Sequence, residues 1–189
     1  MAIIETVPVD EATGVTAEFY ADDIQSQGFV GAHTRVMALN PEAYSAFDAL
    51  TGAISAALGV RRYELVTLAA ALGARSAHCR LAHGRKALQV FSDGELIAIA
   101  VDYRSAGLDD AEVAMMEYAE RVSHDSYAMT DADSQRLRDL GFGDVEIVNI
   151  TLAAAARNYY SRAIQALAIE VDDTVGISDK LRDALIDFH

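Results

Sequence analysis

The placement of proline is the feature that most limits the folds open to this chain of 189 residues. Both prolines, Pro8 and Pro41, lie near the N-terminus, and no proline follows them. Proline interrupts helices because its ring removes a backbone donor and clashes with the preceding turn. The chain after Pro41 is rich in alanine, leucine and glutamate, which lose little side-chain freedom in a helix. The sequence therefore predicts an all-α protein, specifically a helical bundle built around an antiparallel helical hairpin.

Apolar spacing and turn residues divide the chain into predicted elements. We predict a single domain over residues 1–189, with an extended lead-in over 1–17 and a C-terminal extension over 173–189. Gly73 is predicted to cap the C-terminus of one helix, and Ser76 the N-terminus of the next. Polar breaks are predicted at residues 92–94 and 105–107, and a linker at 171–176. Helices are predicted over residues 18–27, 30–39, 41–58, 61–72, 77–90, 109–122, 134–140, 144–169 and 178–188.

Charge and cysteine content narrow the class of protein. The formal net charge is −14, from 29 acidic and 15 basic residues, so we expect neither a nucleic acid nor an anionic membrane as a partner. No apolar run approaches the ~20 residues that a membrane-spanning helix needs. A single cysteine excludes an intrachain disulfide, and the N-terminus lacks the basic start and apolar segment of a signal peptide. We therefore expect a cytoplasmic protein.

A hairpin of the fourth and fifth predicted helices brings several reactive side chains together. Glu64 and His83 lie about equally far from the turn, so an antiparallel pair places them at the same level. Cys79 precedes His83 by four residues and shares its helix face, and Ser76 lies one turn before Cys79. His78 is rotated by about 100° from this row and flanks it.

This arrangement suits thiol chemistry. With Ser76 as the N-cap, Cys79 lies in the first helical turn, where the positive helix end and a nearby imidazole favour the nucleophilic thiolate. Glu64 is expected to orient or charge His83, as the acid of a catalytic triad does. His78 is expected to pass a proton to a departing alkoxide or hydroxide. The predicted catalytic residues are these five, and we expect no cofactor.

The same residues resemble the core of the alkylhydroperoxidase D-like and carboxymuconolactone decarboxylase superfamily, in its peroxidase-related branch. In that core a glutamate is followed, after eleven residues, by the pattern Cys-x-His-Cys-x-x-x-His. Glu64, His78, Cys79 and His83 stand at the matching positions, and Ser76 replaces the first cysteine. The resemblance covers about residues 18–172, including the stretches 28–30, 35–42, 140–147 and 156–162.

The resemblance implies an all-α fold that assembles into a homo-oligomer, a dimer, trimer or hexamer. It also implies an antioxidant enzyme in which the second cysteine, here Cys79, attacks a small-molecule peroxide and becomes a sulfenic acid. The first cysteine of the family then closes a disulfide. Ser76 cannot form that bond, so an external thiol or a protein reductant is expected to complete the cycle.

Two other functions stay open. A lyase resembling carboxymuconolactone decarboxylase would act through acid–base groups without a thiol. A catalytically degenerate or non-catalytic oligomer would account for Ser76, which is also a simple helix cap. In that case Cys79 is a small core residue and Glu64 an acid favoured near a helix start.

We do not expect a metal site at Glu64, His78, Cys79 and His83. The two neighbouring residues of this set point about 100° apart on one helix, and such neighbours rarely bind one ion together. The other histidines, His33 and His124 among them, belong to no comparable pattern and are not predicted to take part.

Overall fold

The computed structural model describes residues 3–172 and 176–188. These residues form ten α-helices and one short 3-10 helix without any β-strand, which confirms the predicted all-α fold. The 3-10 helix, Ser126–Ala128, lies between α7 and α8. In chain order the α-helices are α1 Gly14–Gln27, α2 Ala32–Met37, α3 Pro41–Leu58, α4 Val60–Gly73, α5 Ala77–Ala87, α6 Asp93–Asp102, α7 Asp110–Asp125, α8 Asp131–Asp139, α9 Asp144–Ala166 and α10 Asp179–Ile186.

Helix α4 forms the centre of the bundle. It packs against α3, α5, α7 and α9. Every residue from Tyr63 to Ala71 is buried, so neighbouring helices cover α4 on all sides. A surface helix would bury only one face. Glu64 and Thr67, which lie within this buried stretch, are therefore removed from water together with the apolar side chains.

The turn between α4 and α5 builds the predicted hairpin. Arg75 adopts the left-handed conformation, with φ of 53°. Its N–H donates to the Leu72 carbonyl, and the N–H of Ser76 donates to the Ala71 carbonyl, both at 2.9 Å. This pair of bonds is the Schellman closure of a helix, in which glycine usually occupies the left-handed position. Arginine occupies it here.

Gly73 has a different role from the predicted left-handed cap. It is the last residue of α4, and Ala74 follows it in the right-handed helical region. A Cβ at Gly73 would lie 2.5 Å from the Glu120 carbonyl oxygen and 2.9 Å from the Ser123 Cβ. The prediction of the cap was therefore wrong, and glycine is needed because α7 crosses α4 at close range.

The polar break predicted at residues 92–94 is the start of α6. The Ser92 hydroxyl accepts from the Glu95 N–H at 3.3 Å, and the Glu95 carboxylate accepts from the Ser92 N–H at 2.7 Å. This reciprocal capping box begins a helix where the sequence analysis placed none. Helix α1 likewise begins at Gly14, so the last part of the expected lead-in is helical.

Helix α10 lies within the C-terminal extension and packs against α5 and α6. A Cβ at Gly84 of α5 would overlap the Leu185 side chain, so glycine permits this close packing. Part of the predicted linker, residues 173–175, lies outside the described residues. None of the helices in the described ranges combines the length and the apolar character that crossing a membrane requires.

Candidate active site

Cys79 occupies the third position of α5, where the capping geometry is the predicted one. The Ser76 hydroxyl accepts a hydrogen bond from the Cys79 backbone N–H at 3.4 Å. The turn of α5 thus places the thiol beside the positive end of the helix. The Cys79 side chain is buried, with an exposed fraction of 1% for the residue, so its neighbours decide its chemistry.

Two polar groups of α9 contact the sulfur. The Ser161 hydroxyl donates to Cys79 Sγ at 3.2 Å. Nη1 of Arg157 lies 3.8 Å from the same sulfur atom. Both α9 residues are buried, so this cationic and hydrogen-bonding environment is shielded from bulk water. The thiol is therefore not a purely hydrocarbon-packed core residue.

Arg157 carries a buried positive charge. Burial lowers the pKa of its guanidinium, but the neighbouring Cys79 and Tyr63 raise it, and the pKa stays above its usual value. The Arg157 Nε atom is buried without a hydrogen-bond partner. A buried cation is costly unless an anion accompanies it, so this site favours negative charge on the groups that touch the guanidinium.

Glu64 and His83 meet across the hairpin as predicted. His83 Nδ1 and Glu64 Oε2 are 2.7 Å apart, and both residues are buried. The Thr67 hydroxyl lies 3.2 Å from the same ring nitrogen. These contacts fix the imidazole plane from the α4 side, as the orienting group of a catalytic base does.

Burial sets the protonation of this pair. It raises the pKa of Glu64 to about 7, although Lys86 and Arg157 act in the opposite direction. Burial also lowers the pKa of His83 well below its usual value. The pair therefore favours a neutral carboxyl group hydrogen-bonded to a neutral imidazole, and it holds a proton that can be transferred near neutral pH.

A cavity of about 140 Å³ joins these groups. Cys79, His83 and His78 line it, whereas Ser76 and Glu64 lie behind this wall as the helix cap of Cys79 and the partner of His83. Its other walls are largely aromatic and cationic: Tyr44, Phe47, Tyr63, Tyr160, Lys86 and Arg157. The five predicted residues thus divide into three that face the cavity and two that support them.

His33, which the sequence analysis left out, stands against His78. The two ring centroids are 4.6 Å apart, with the planes at 73°. Burial lowers the pKa of His33 to about 3, and it also lowers the pKa of His78, which Asp172 partly offsets. Both rings line the cavity beside Cys79 and also a second cavity, of about 230 Å³.

The residues missed by sequence reasoning lie far away along the chain. Arg157 and Ser161 are separated from Cys79 by 78 and 82 residues. They share one face of α9 with Tyr160, at helical spacing. An arginine directly after the alanine run at residues 153–156 of α9 was the available signal, because a charge next to a core-forming stretch needs a buried partner.

Comparisons with known proteins bear on the fold. No protein-family model matches the chain, and no curated protein matches it. Several solved structures, however, match the chain. A peroxidase-related protein from Ralstonia eutropha JMP134, described as an alkylhydroperoxidase AhpD core, superposes with a TM-score of 0.78 at 21% identity, over 91% of this chain and 93% of its own.

Two further structures agree with this match. A peroxidase-related protein from Silicibacter sp. TM1040 has a TM-score of 0.77 at 23% identity, over 91% of this chain and 94% of its own. The debrominase Bmp8, as a cysteine-to-alanine variant in complex with 2,3,4-tribromopyrrole, has a TM-score of 0.77 at 14% identity, over 100% of both chains. The chain therefore has the all-helical fold of the alkylhydroperoxidase core.

Proposed function

We propose that this protein is a thiol-dependent peroxidase that reduces hydrogen peroxide or organic hydroperoxides through Cys79. One observation carries the proposal: Cys79 Sγ contacts both the Arg157 guanidinium and the Ser161 hydroxyl at the wall of a cavity. Charge-assisted and hydroxyl hydrogen bonds stabilise an anion, and the anionic sulfur is the nucleophilic form.

The reaction follows from this geometry. The thiolate attacks one oxygen of the hydroperoxide, so an S–O bond forms as the O–O bond breaks. Sulfur loses two electrons and becomes a sulfenic acid, and the peroxide is reduced. The departing hydroxide or alkoxide takes a proton. A proton of the Glu64–His83 pair is available near neutral pH, since the pKa of Glu64 is raised to about 7.

An external thiol completes the cycle. The Ser76 hydroxyl, which stands where the resembling family has its first cysteine, cannot close a disulfide. A first thiol attacks the sulfenic sulfur, forms a mixed disulfide and releases water. A second thiol attacks that disulfide, returns Cys79 to the thiol and leaves with the first as an oxidised disulfide. We infer that a small thiol or a protein reductant supplies both.

Aromatic rings form part of the cavity wall, between charged and polar side chains. The Phe47 and Tyr160 rings are stacked with centroids 4.8 Å apart, and Tyr44 and Tyr160 are stacked at 6.4 Å. Contact of an organic group with these rings would contribute binding free energy, and the polar part of the lining suits the peroxide group itself. The mixed lining therefore suits hydrogen peroxide as well as an organic hydroperoxide.

Steady-state turnover tests the proposal. Cumene hydroperoxide and hydrogen peroxide are supplied separately with dithiothreitol as the reductant, and peroxide loss is followed. We expect turnover by the wild-type protein, no turnover by Cys79→Ser, and a lower rate for His83→Ala. Peroxide turnover that survives in Cys79→Ser would contradict the proposal. A folded wild-type protein without any turnover would support a degenerate site.

A second candidate function uses the same thiol. The match to the debrominase Bmp8 extends over the full length of both chains. Once the bromine-bearing ring carbon has taken a proton, a thiolate can attack the bromine: an S–Br bond forms as the C–Br bond breaks, and the ring regains its aromaticity. A first external thiol then displaces bromide and forms a mixed disulfide with Cys79, and a second thiol returns Cys79 to the thiol and leaves with the first as a disulfide. Bromide formation from a bromopyrrole with dithiothreitol, absent in Cys79→Ser, would favour this function over peroxide reduction.

A further inference from the structure

A second cavity, of about 230 Å³, is bordered by the two histidine rings but not by Cys79. It is lined by His33, His78 and Asp172, together with a further carboxylate, Asp23. Ligand atoms of the first three residues lie within 4.8 Å of one another. Cys79 borders only the other of these two cavities, so the cluster is distinct from the reactive thiol.

The two imidazole rings offer unused donor atoms. Nδ1 of His33 and Nδ1 of His78 are both buried without a hydrogen-bond partner. Burying such a polar atom without a partner is unfavourable, and each of these groups therefore calls for an explanation. A cation held among His33, His78 and Asp172 would give these imidazoles a partner that the described residues do not supply.

We propose that His33, His78 and Asp172 bind a divalent transition-metal ion of the zinc type. Neutral imidazoles and a carboxylate are common zinc ligands, and three protein ligands leave a fourth position for water. Zinc bonds to such ligands are about 2.0–2.2 Å long. The donor atoms therefore have to close by roughly 1 Å, which small rotations of the three side chains supply.

Outer-shell contacts hold two of the ligands in place. His33 Nε2 lies 3.2 Å from the Thr34 hydroxyl, an interaction that leaves Nδ1 of the ring for the metal. One carboxylate oxygen of Asp172 accepts from the Ala32 N–H at 2.8 Å, and its other oxygen stays available. Partners of this kind fix the tautomer and orientation of metal ligands.

The ligands come from three separate parts of the fold. His33 belongs to α2, His78 to α5, and Asp172 to the segment after α9. A metal ion would therefore link these elements across the cavity and stabilise the folded chain by mass action. It would also withdraw His78 from proton transfer beside Cys79. The proposal does not depend on the peroxidase function, since it concerns binding of the metal alone.

Titration of the metal-free protein with Zn²⁺ tests the site. We expect one ion per chain and a rise in the unfolding temperature when Zn²⁺ is added. Two ligand variants should weaken Zn²⁺ binding: His33→Ala and Asp172→Asn, of which the second keeps the shape of the side chain. Loss of an outer-shell partner costs roughly 10- to 100-fold in metal affinity, and loss of a ligand should cost more. His124→Ala removes an exposed histidine and should leave the affinity unchanged.

Co²⁺ provides a spectroscopic check of the ligand set. A site of two imidazoles and a carboxylate gives weak visible bands without a strong thiolate-to-cobalt charge-transfer band. A strong band of that type would place the ion on Cys79 and overturn the proposal. The proposal would also be overturned if folded Asp172→Asn and folded His33→Ala kept the Zn²⁺ affinity of the wild-type protein. The same holds if their Zn²⁺ affinity does not differ from that of His124→Ala.

Discussion

At the scale of single residues, the contact between the Arg157 guanidinium and the Cys79 sulfur is the central feature of the candidate site. The guanidinium is buried, and its Nη1 atom lies 3.8 Å from the sulfur. A buried cation is stabilised by a neighbour that becomes negative. Under the proposed function, the sulfur of Cys79 would be that neighbour, and the same contact would activate it.

Replacement of Arg157 by methionine should slow alkylation of Cys79. A hydrogen bond to a charged group is worth about 1.5–3 kcal/mol, so loss of the guanidinium should slow the reaction roughly 10- to 100-fold. The rate of iodoacetamide alkylation at pH 7, read by mass spectrometry, measures this change. Arg162→Met is the matched control, because Arg162 is exposed on the same helix. Equal rates for the two folded variants would contradict the role of Arg157.

Glu64 should make the protein less stable as the pH rises. Burial raises its pKa from 4.5, the usual value of a glutamate side chain, to about 7, so the folded state holds a proton that the unfolded state releases. The stability from this group is complete below about pH 4.5 and is lost as the pH rises through about 7. His83, whose pKa is lowered, acts in the opposite sense as the pH falls.

Urea unfolding of the wild-type protein and Glu64→Gln between pH 4.5 and 8 isolates the glutamate. The free energy of unfolding of the wild-type protein should fall relative to the variant by no more than about 3 kcal/mol over this range. A difference that stays constant with pH would show that the Glu64 carboxyl is not held neutral in the folded state.

The residues of the site that lie in one hairpin could be predicted from the sequence, whereas the residues contributed by α9 could not. Glu64, Cys79 and His83 belong to one hairpin, so helical spacing and the position of the turn suffice to bring them together. Arg157 reaches the sulfur from a helix 78 residues away. Only the packing of α9 against α4 and α5 creates that contact, and no spacing rule within one sequence encodes it.

At the scale of elements, the N-cap of α5 is the residue that would decide how oxidised Cys79 is reduced in the proposed cycle. Ser76 and Cys79 are the N-cap and the third residue of this helix, and the serine side chain bonds the cysteine N–H. A thiol at the N-cap would thus lie beside the sulfenic sulfur. The serine supplies a helix cap but no reducing group.

Ser76→Cys should therefore form an intramolecular disulfide after one equivalent of hydroperoxide. Mass spectrometry should find the loss of two hydrogens in this variant and sulfenic acid in the wild-type protein. Ser76→Ala is the control: it forms no disulfide and loses about 1 kcal/mol of stability with the cap. Failure of the peroxide-treated Ser76→Cys protein to form the disulfide would contradict the proposed equivalence with the first cysteine of the resembling family.

Two glycine substitutions should have opposite effects on stability. Gly73→Ala places a Cβ against the Glu120 carbonyl of α7 and should cost about 1–3 kcal/mol. Gly52→Ala, within α3, has no neighbouring atom within 4 Å and should stabilise the protein by about 0.5–1 kcal/mol. Thermal or urea unfolding measures both. A destabilising effect of similar size in both variants would refute the close crossing of α4 and α7.

The boundaries of the helices show where sequence reasoning succeeds and fails. Helix α3 has the predicted span of residues 41–58, since Pro41 begins it and Gly59 follows its last turn. Helix α6 was missed because the polar residues Ser92 and Asp93 were interpreted as a break. The capping box from Ser92 to Glu95 was visible in the sequence, and its spacing predicts a helix start.

At the scale of the whole molecule, the all-helical fold was predictable because no proline follows Pro41 and the chain after it is rich in residues that favour helices. The agreement with three solved structures supports this fold at identities of 14–23%. The homo-oligomer and the cytoplasmic location stay predictions. Activity depends on a few residues of this common scaffold, so the fold alone does not decide it.

Trapping of oxidised Cys79 decides whether its sulfur is the nucleophile that reduces peroxide. The protein is exposed for a few seconds to one equivalent of cumene hydroperoxide in the presence of dimedone, and the adduct is located by mass spectrometry. We expect rapid dimedone labelling of Cys79 in the wild-type protein and slower labelling in Arg157→Met. A wild-type Cys79 that stays reduced while the hydroperoxide persists would contradict peroxide reduction by this thiol.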